Sequence, residues 1–181
     1  RSKIYEQCLG LFTNVEISQD EINFPVMRGK YGNWNIAIVP IVDHVAVRKI
    51  PSLWLQVTVE TPIPYEGSID FLVRPQNVEF YSPSSILRLN LEVPEGWPDH
   101  AVLRTDNIEA MPPEAEITPH MSIFEEPKMK ELLITPRGVR LVYQLDQATR
   151  SHYMVLRQLR FENFVIDPEL ASHLLDSAIA I

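Results

Sequence analysis

Apolar and polar residues alternate with a period of two along much of this chain, and this pattern constrains its fold most. In residues 53–59, Leu and Val hold every odd position, with Trp, Gln and Thr between them. Similar alternation runs through 69–73, 87–93 and 139–145. Successive side chains of a strand point to opposite faces, so each segment is predicted to be a strand with one apolar and one more polar face. Such strands are typical of antiparallel sheets.

Turn residues divide the patterned segments into predicted hairpins. Gly32-Asn33 and Pro136-Arg137-Gly138 are short turn sequences between apolar runs. The loop 61–67, with two prolines, is expected to connect its flanking strands as a hairpin. Pro40 has no N–H to donate, so it predicts a bulge or a sheet edge within its strand. The predicted strands are 26–31, 34–42, 53–61, 68–74, 86–93, 101–105, 131–135, 139–145 and 152–161, the last three forming a meander.

Helices are predicted at both ends of the chain. Ile4, Cys8 and Leu11 have the spacing of one helix face, which predicts an amphipathic helix over 2–13. Asp167-Pro168-Glu169 is a capping sequence that predicts a helix over 168–179. Because no alternating strand–helix rhythm is present, we predict an α+β fold. It is a single domain over 1–181, a mainly antiparallel sheet with both helices packed on one face.

Acidic residues and prolines are concentrated in the middle of the chain. The net charge is −8, and residues 92–131 hold ten Asp and Glu against three Arg and Lys, together with six of the fifteen prolines. The meander that follows has too few strands to be stable alone, so a linker between two domains is disfavoured. We expect a long, acidic, Pro-rich excursion from the sheet. A helix over 119–132, kinked at Pro127, closes it.

Composition excludes some functions and favours others. The bases are scattered and the protein is acidic, which argues against a nucleic-acid partner. Cys8 is the single cysteine, so no intramolecular disulfide forms, which favours a reducing compartment or a bacterial protein. No apolar run is long enough to cross a bilayer. The chain begins at Arg1, and we expect a soluble, cytoplasmic part of a longer protein, with any membrane attachment through segments outside this chain.

The sequence contains no recognised catalytic, cofactor or metal-binding motif. It has no G-x-S-x-G elbow, no phosphate-binding glycine loop and no H-x-x-x-H or C-x-x-C spacing. Cys8 lies on the apolar stripe of its predicted helix, where a thiol is usually a small core residue. We therefore expect no cofactor and no metal. A catalytic or metal site assembled only in three dimensions would have to draw on residues of two Asp-His dipeptides and one further histidine: Asp43, His44, Asp99, His100 and His120.

Two features of the acidic segment are compatible with partner binding. Trp97 lies in a Gly/Pro turn, where it either covers the local core or acts as an exposed contact anchor. Met111 is one of several apolar residues that either dock in a partner's groove or fix the segment to its own domain. The sequence thus predicts a non-catalytic interaction or membrane-proximal module that binds a protein or a second copy. Its candidate binding residues are Trp97, Met111, His100 and His120. The alternative is a small enzyme or ligand binder with a pocket between the sheet and 92–131.

Overall fold

The computed structural model describes residues 3–20, 23–42, 52–73, 82–147 and 164–181. Within them, nine strands form one antiparallel sheet of order β1-β2-β3-β4-β9-β8-β5-β7-β6. Two short helices, α1 (Glu114–Ile117) and α2 (Pro168–Ala180), accompany the sheet. The strands are β1 Thr13–Ser18, β2 Val26–Tyr31, β3 Trp34–Val42, β4 Ser52–Glu60, β5 Ile69–Leu72, β6 Leu89–Leu91, β7 Val102–Thr105, β8 Met129–Thr135 and β9 Gly138–Gln147.

The strand register gives the sheet one apolar and one more polar face. Residues paired across an antiparallel ladder share a face. One row crosses all nine strands with apolar residues alone: Ile17, Met27, Ile38, Val57, Leu141, Leu132, Phe71, Leu103 and Leu91. The neighbouring row lies on the opposite face and is largely polar: Glu16, Arg28, Ala37, Thr58, Arg140, Leu133, Asp70, Arg104 and Asn90.

Three segments cover the apolar face and complete the main core. They are the N-terminal residues 3–12, the segment 117–124, and α2. Their buried side chains share one cluster with those of the sheet: Ile4, Tyr5, Cys8, Phe12, Ile117, Met121, Phe124, Ala171, Leu174, Leu175 and Ala178. The backbone N–H of Ile166 donates to the carbonyl of Ile4 at 2.8 Å, which joins the approach to α2 to the N-terminal segment.

Pro40 lies where β3 is paired on one side only among the described strands, as its predicted place at a sheet edge requires, and the β3–β4 ladder has no bulge there. β3 lies between β2 and β4, and its register with β4 runs from Asn35 to Val42 without a shift. The pairing of β3 with β2, however, ends at Met27 and Ile38. Beyond it, the Tyr5 hydroxyl bonds to the carbonyl oxygens of Pro25 and Ile38 at 2.7 and 2.9 Å. Pro40 is thus accommodated just past the end of a ladder.

The fold-class prediction holds in its coarser part, a mainly antiparallel sheet with a C-terminal helix. The helix predicted over 2–13 is not formed. Residues 3–8 form turns, Leu9–Leu11 is a 3-10 helix, and the chain enters β1 at Thr13. Gly10 disfavours a continuous helix, and tertiary contacts decide the conformation of so short a segment. The predicted inward residues Ile4 and Cys8 are nevertheless buried.

The acidic segment does not form one long excursion from the sheet. β7, inside it, pairs with both β5 and β6. The predicted kinked helix over 119–132 is replaced by a 3-10 helix over Thr118–Glu125, which follows α1 directly, and by β8 from Met129. Pro119 and Pro127 cannot donate hydrogen bonds, which restricts regular helix to short pieces.

The hairpin expected around the loop 61–67 is also wrong. β4 pairs with β3 and β9, whereas β5 pairs with β7 and β8. The loop instead runs from one part of the sheet to another. The hairpins β2–β3 and β8–β9 form as predicted. The strand predicted at 152–161 lies outside the described residues.

Candidate functional site

Trp97 lies in the core. Its side chain is 6% exposed and packs edge-on against the ring of Phe71, with ring centroids 5.5 Å apart. Its indole Nε1 donates to Oγ1 of Thr118 at 2.9 Å. Of the two roles considered for this tryptophan, its contacts are those of a residue that covers the local core.

The other predicted binding residues lie nearer the surface. His100 is exposed and has a positive φ of 57°, and His120 is half-buried. Met111 is partly buried and packs against the main core. Because Trp97 is buried and His100 faces solvent, these two do not present one common surface. A role for the four residues in partner binding stays a prediction, and Asp43 and His44 lie outside the described residues.

The most unusual polar feature of the described chain is a buried pair of carboxyl groups on the more polar face. Asp70 on β5 and Glu131 on β8 are both 0% exposed. Glu131 lies diagonally from Asp70, since its partner across the ladder is Leu72. Nη2 of Arg140, on β9, contacts Oε1 of Glu131 at 2.9 Å. Oγ of Ser82 donates to Oδ2 of Asp70 at 3.3 Å.

The surroundings of this carboxyl pair favour the retention of one proton. Burial raises the pKa of Glu131 most, the hydrogen bond and negative charge of Asp70 also raise it, Arg140 opposes them, and the pKa is about 9 as a result. Burial also raises the pKa of Asp70, although its hydrogen bond with Glu131 works in the opposite direction. Two carboxylates can be hydrogen-bonded only if one is protonated. We therefore infer that Glu131 holds the proton, so that Asp70 is the anion that balances Arg140.

The acid pair connects several parts of the sheet. Through Ser82, which also accepts from the backbone N–H of Ser84 at 3.1 Å, Asp70 is linked to the turn that precedes β6. Arg104 donates to the carbonyl of Ser84 at 2.7 Å. The alternation over 69–73 predicted Asp70 on the more polar face of its strand, but the pattern did not reveal the burial of Asp70 and Glu131, because alternation does not show what covers a face.

The exposed edge of the sheet is the second candidate site. Among the described strands, β1 is paired on one side only, and five of its six residues are exposed. Ile17, the last residue of the apolar row, is 45% exposed. The other edge strand, β6, has three residues. β1 was not predicted, although Thr13, Val15 and Ile17 alternate with polar residues, because this short pattern was assigned partly to the N-terminal helix.

A bulge and a shallow depression lie beside β1. The β1–β2 register shifts between Thr13 and Glu16, and Asn14 has a φ of 52°. Gly29 faces the bulge, where a Cβ would lie 3.0 Å from the carbonyl oxygen of Thr13. The depression has a volume of about 190 Å³. Its polar lining is Asn14, Glu16, Arg28, Lys30, Asn35 and Glu60, and Nη1 of Arg28 bonds to Oε1 of Glu60 at 2.7 Å.

The comparisons with known proteins assign no family. The chain matches no family model and has no significant match among curated proteins or solved structures. In the part of the chain that the structure describes, no cluster of three or more His, Cys, Asp or Glu side chains could hold a metal ion. No helix of the described residues is long and apolar enough to cross a membrane.

Proposed function

We propose that this protein is a non-catalytic interaction module that binds an extended segment along β1. The observation that supports this proposal most directly is the exposure of β1 and of Ile17, the residue at which the continuous apolar row ends. An edge strand presents unpaired N–H and C=O groups that can pair with another strand. Strand addition obtains affinity from the main chain and specificity from alternate side chains.

One part of the β1 edge is protected against pairing with another strand, and the other part is open to it. The bulge at Asn14 and the charge of Glu16 are features that limit unselective pairing of edges. Residues 16–18, however, are in regular register with β2, at Arg28, Met27 and Val26. A segment added here would cover Ile17 on the apolar face and lie beside Glu16 on the other.

The enzyme alternative has less support among the described residues. The space between the sheet and the acidic segment is occupied by aromatic packing, since Phe71 contacts both Trp97 and Phe124, the latter at 5.0 Å between ring centroids. Asp70 and Glu131 retain one proton, as an acid–base pair does, but neither has exposed surface through which to reach a substrate. We assign this pair a role in stability.

Substitution of Ile17 tests the proposed module. The probe is a synthetic peptide of alternating valine and threonine, titrated into labelled protein and followed by backbone amide chemical shifts. We expect shifts that concentrate in β1 and β2, and a roughly tenfold weaker affinity for Ile17→Lys, which removes apolar contact and adds an edge charge.

Ile86→Lys is the matched control, because Ile86 is 74% exposed and lies near the opposite edge, just before β6. It should bind the peptide as the unmodified protein does. Absence of shifts in β1 at millimolar peptide, or equal weakening by both substitutions, would count against the proposed function.

A further inference from the structure

The exposed edge of β1 is self-complementary around Ile17. Two antiparallel copies of one strand are related by a twofold axis, and an axis perpendicular to the sheet keeps apolar and polar faces continuous. With Ile17 opposite itself, Glu16 lies opposite Ser18 of the second copy. Shifting the centre to Glu16 would place two like charges directly opposite, which is destabilising. The Ile17-centred register avoids this repulsion.

The charge distribution also favours this edge over the other. Residues 1–42, which include β1 to β3, contain four acids and four bases. The strongly acidic 92–131 segment contributes β7, next to the opposite edge strand β6. Pairing through β1 therefore keeps the most acidic segment of each copy in the half of the sheet away from the contact. Repulsion between exposed charges falls off within about 10 Å at moderate salt, so distance weakens it.

We propose that the occupant of the β1 edge is a second copy of this chain, paired antiparallel about Ile17. This inference rests on the proposed function, since it names the partner of the same edge. The apolar row then continues from Met27 and Ile17 into the second copy, and each Ile17 covers the other. Only a short stretch of each β1 pairs, so the dimer is in equilibrium with the monomer.

Cysteine cross-linking tests the register. Directly opposite residues have Cα atoms about 4.5–5.5 Å apart, which a disulfide can bridge. The native Cys8 is 0% exposed, so an introduced surface cysteine is the reactive one. We expect Ile17→Cys to form a disulfide-linked dimer about ten times faster than Trp34→Cys, because strand pairing raises the effective concentration of the two thiols. Trp34 is a suitable control at 38% exposure.

Two further variants distinguish the Ile17-centred register from its neighbours. Glu16→Cys alone should cross-link as slowly as Trp34→Cys, because the two positions 16 are diagonal neighbours about 7–8 Å apart. A mixture of Glu16→Cys and Ser18→Cys chains should form the mixed dimer rapidly. Faster cross-linking of Glu16→Cys alone would overturn the proposed register.

Sedimentation of the unmodified chain completes the test. We expect a concentration-dependent dimer that Ile17→Lys abolishes and Ile86→Lys leaves intact. If Ile17→Cys cross-links no faster than Trp34→Cys while the valine–threonine peptide still binds β1, self-pairing is refuted and the interaction module stands. If neither self-pairing nor peptide binding occurs, both proposals fail.

Discussion

At the scale of single residues, one proton sets the charge of the buried cluster of Asp70, Glu131 and Arg140. The pKa of Glu131 is about 9 in the fold, against an ordinary value of 4.5. A group with a raised pKa binds its proton more tightly in the folded state, so its contribution to stability is complete below 4.5. That contribution is lost progressively as pH rises towards 9. The singly protonated pair, with Asp70 as the anion and Glu131 neutral, is thus favoured in acidic and neutral solution.

Glu131→Gln tests this linkage. Glutamine is neutral at every pH and can still donate to Asp70 and accept from Arg140. We expect a free energy of unfolding within about 1 kcal/mol of the original at pH 7. The decline of this free energy between pH 5 and 9, measured by urea unfolding, should be shallower than that of the original protein. Glu131→Ala should lose about 3 kcal/mol, because the buried Asp70 and Arg140 both lose a hydrogen-bonding partner. An unchanged pH slope in Glu131→Gln would show that other groups set it.

Gly138 is required by the close approach of β9 to β4. Its φ is 149°, and a Cβ at this position would overlap the carbonyl oxygen of Val59. We expect Gly138→Ala to reduce the free energy of unfolding by about 2 kcal/mol or more, through backbone strain and displacement of the ladder. Gly10→Ala is the matched control, since a Cβ there meets nothing within 4 Å. Similar losses in both, measured by denaturant unfolding, would contradict this account.

At the scale of elements, the N-terminal cap of α2 stabilises one of the three segments that cover the apolar face. Oδ1 of Asp167 accepts from the backbone N–H groups of Glu169 and Leu170 at 2.7 and 3.1 Å. Asp167→Ala should lower the free energy of unfolding by about 1 kcal/mol, because two N–H groups lose their acceptor. Asp167→Asn keeps an acceptor and should lose less. Equal losses in thermal unfolding would assign the effect to charge rather than capping.

Elements with strong local patterns and the two hairpins between them were predictable, whereas the strand pairings outside those hairpins were not. β2 and β3 have their predicted bounds because their apolar runs flank a Gly-Asn turn, and α2 follows from its Asp-Pro cap. The segment 2–13 was misassigned because its apolar spacing fits both a helix and a series of turns. The actual conformation is fixed by long-range contacts, such as that of the Tyr5 hydroxyl with Pro25 and Ile38.

At the scale of the whole molecule, the sheet order could not be inferred from neighbouring segments. β4 is followed along the chain by β5, yet its lateral partner is β9, and β7 from the acidic segment lies between β5 and β6. These pairings depend on complementary rows of side chains that are distant in sequence. The candidate edge at Ile17 and the buried Asp70–Glu131 pair follow from that arrangement, which is why neither was evident beforehand.

The pairing of β4 with β9 also has a consequence for synthesis of the chain. The β1–β4 meander is complete after residue 60, but the strand that covers the outer side of β4 begins at Gly138. During translation, at about 5–20 residues per second, β4 has no β9 partner for several seconds. Its buried face and its open side stay uncovered until β9 is made. A nascent chain of this kind exposes an aggregation-prone edge during that time, and the middle of the sheet closes only late in synthesis, before α2 is made.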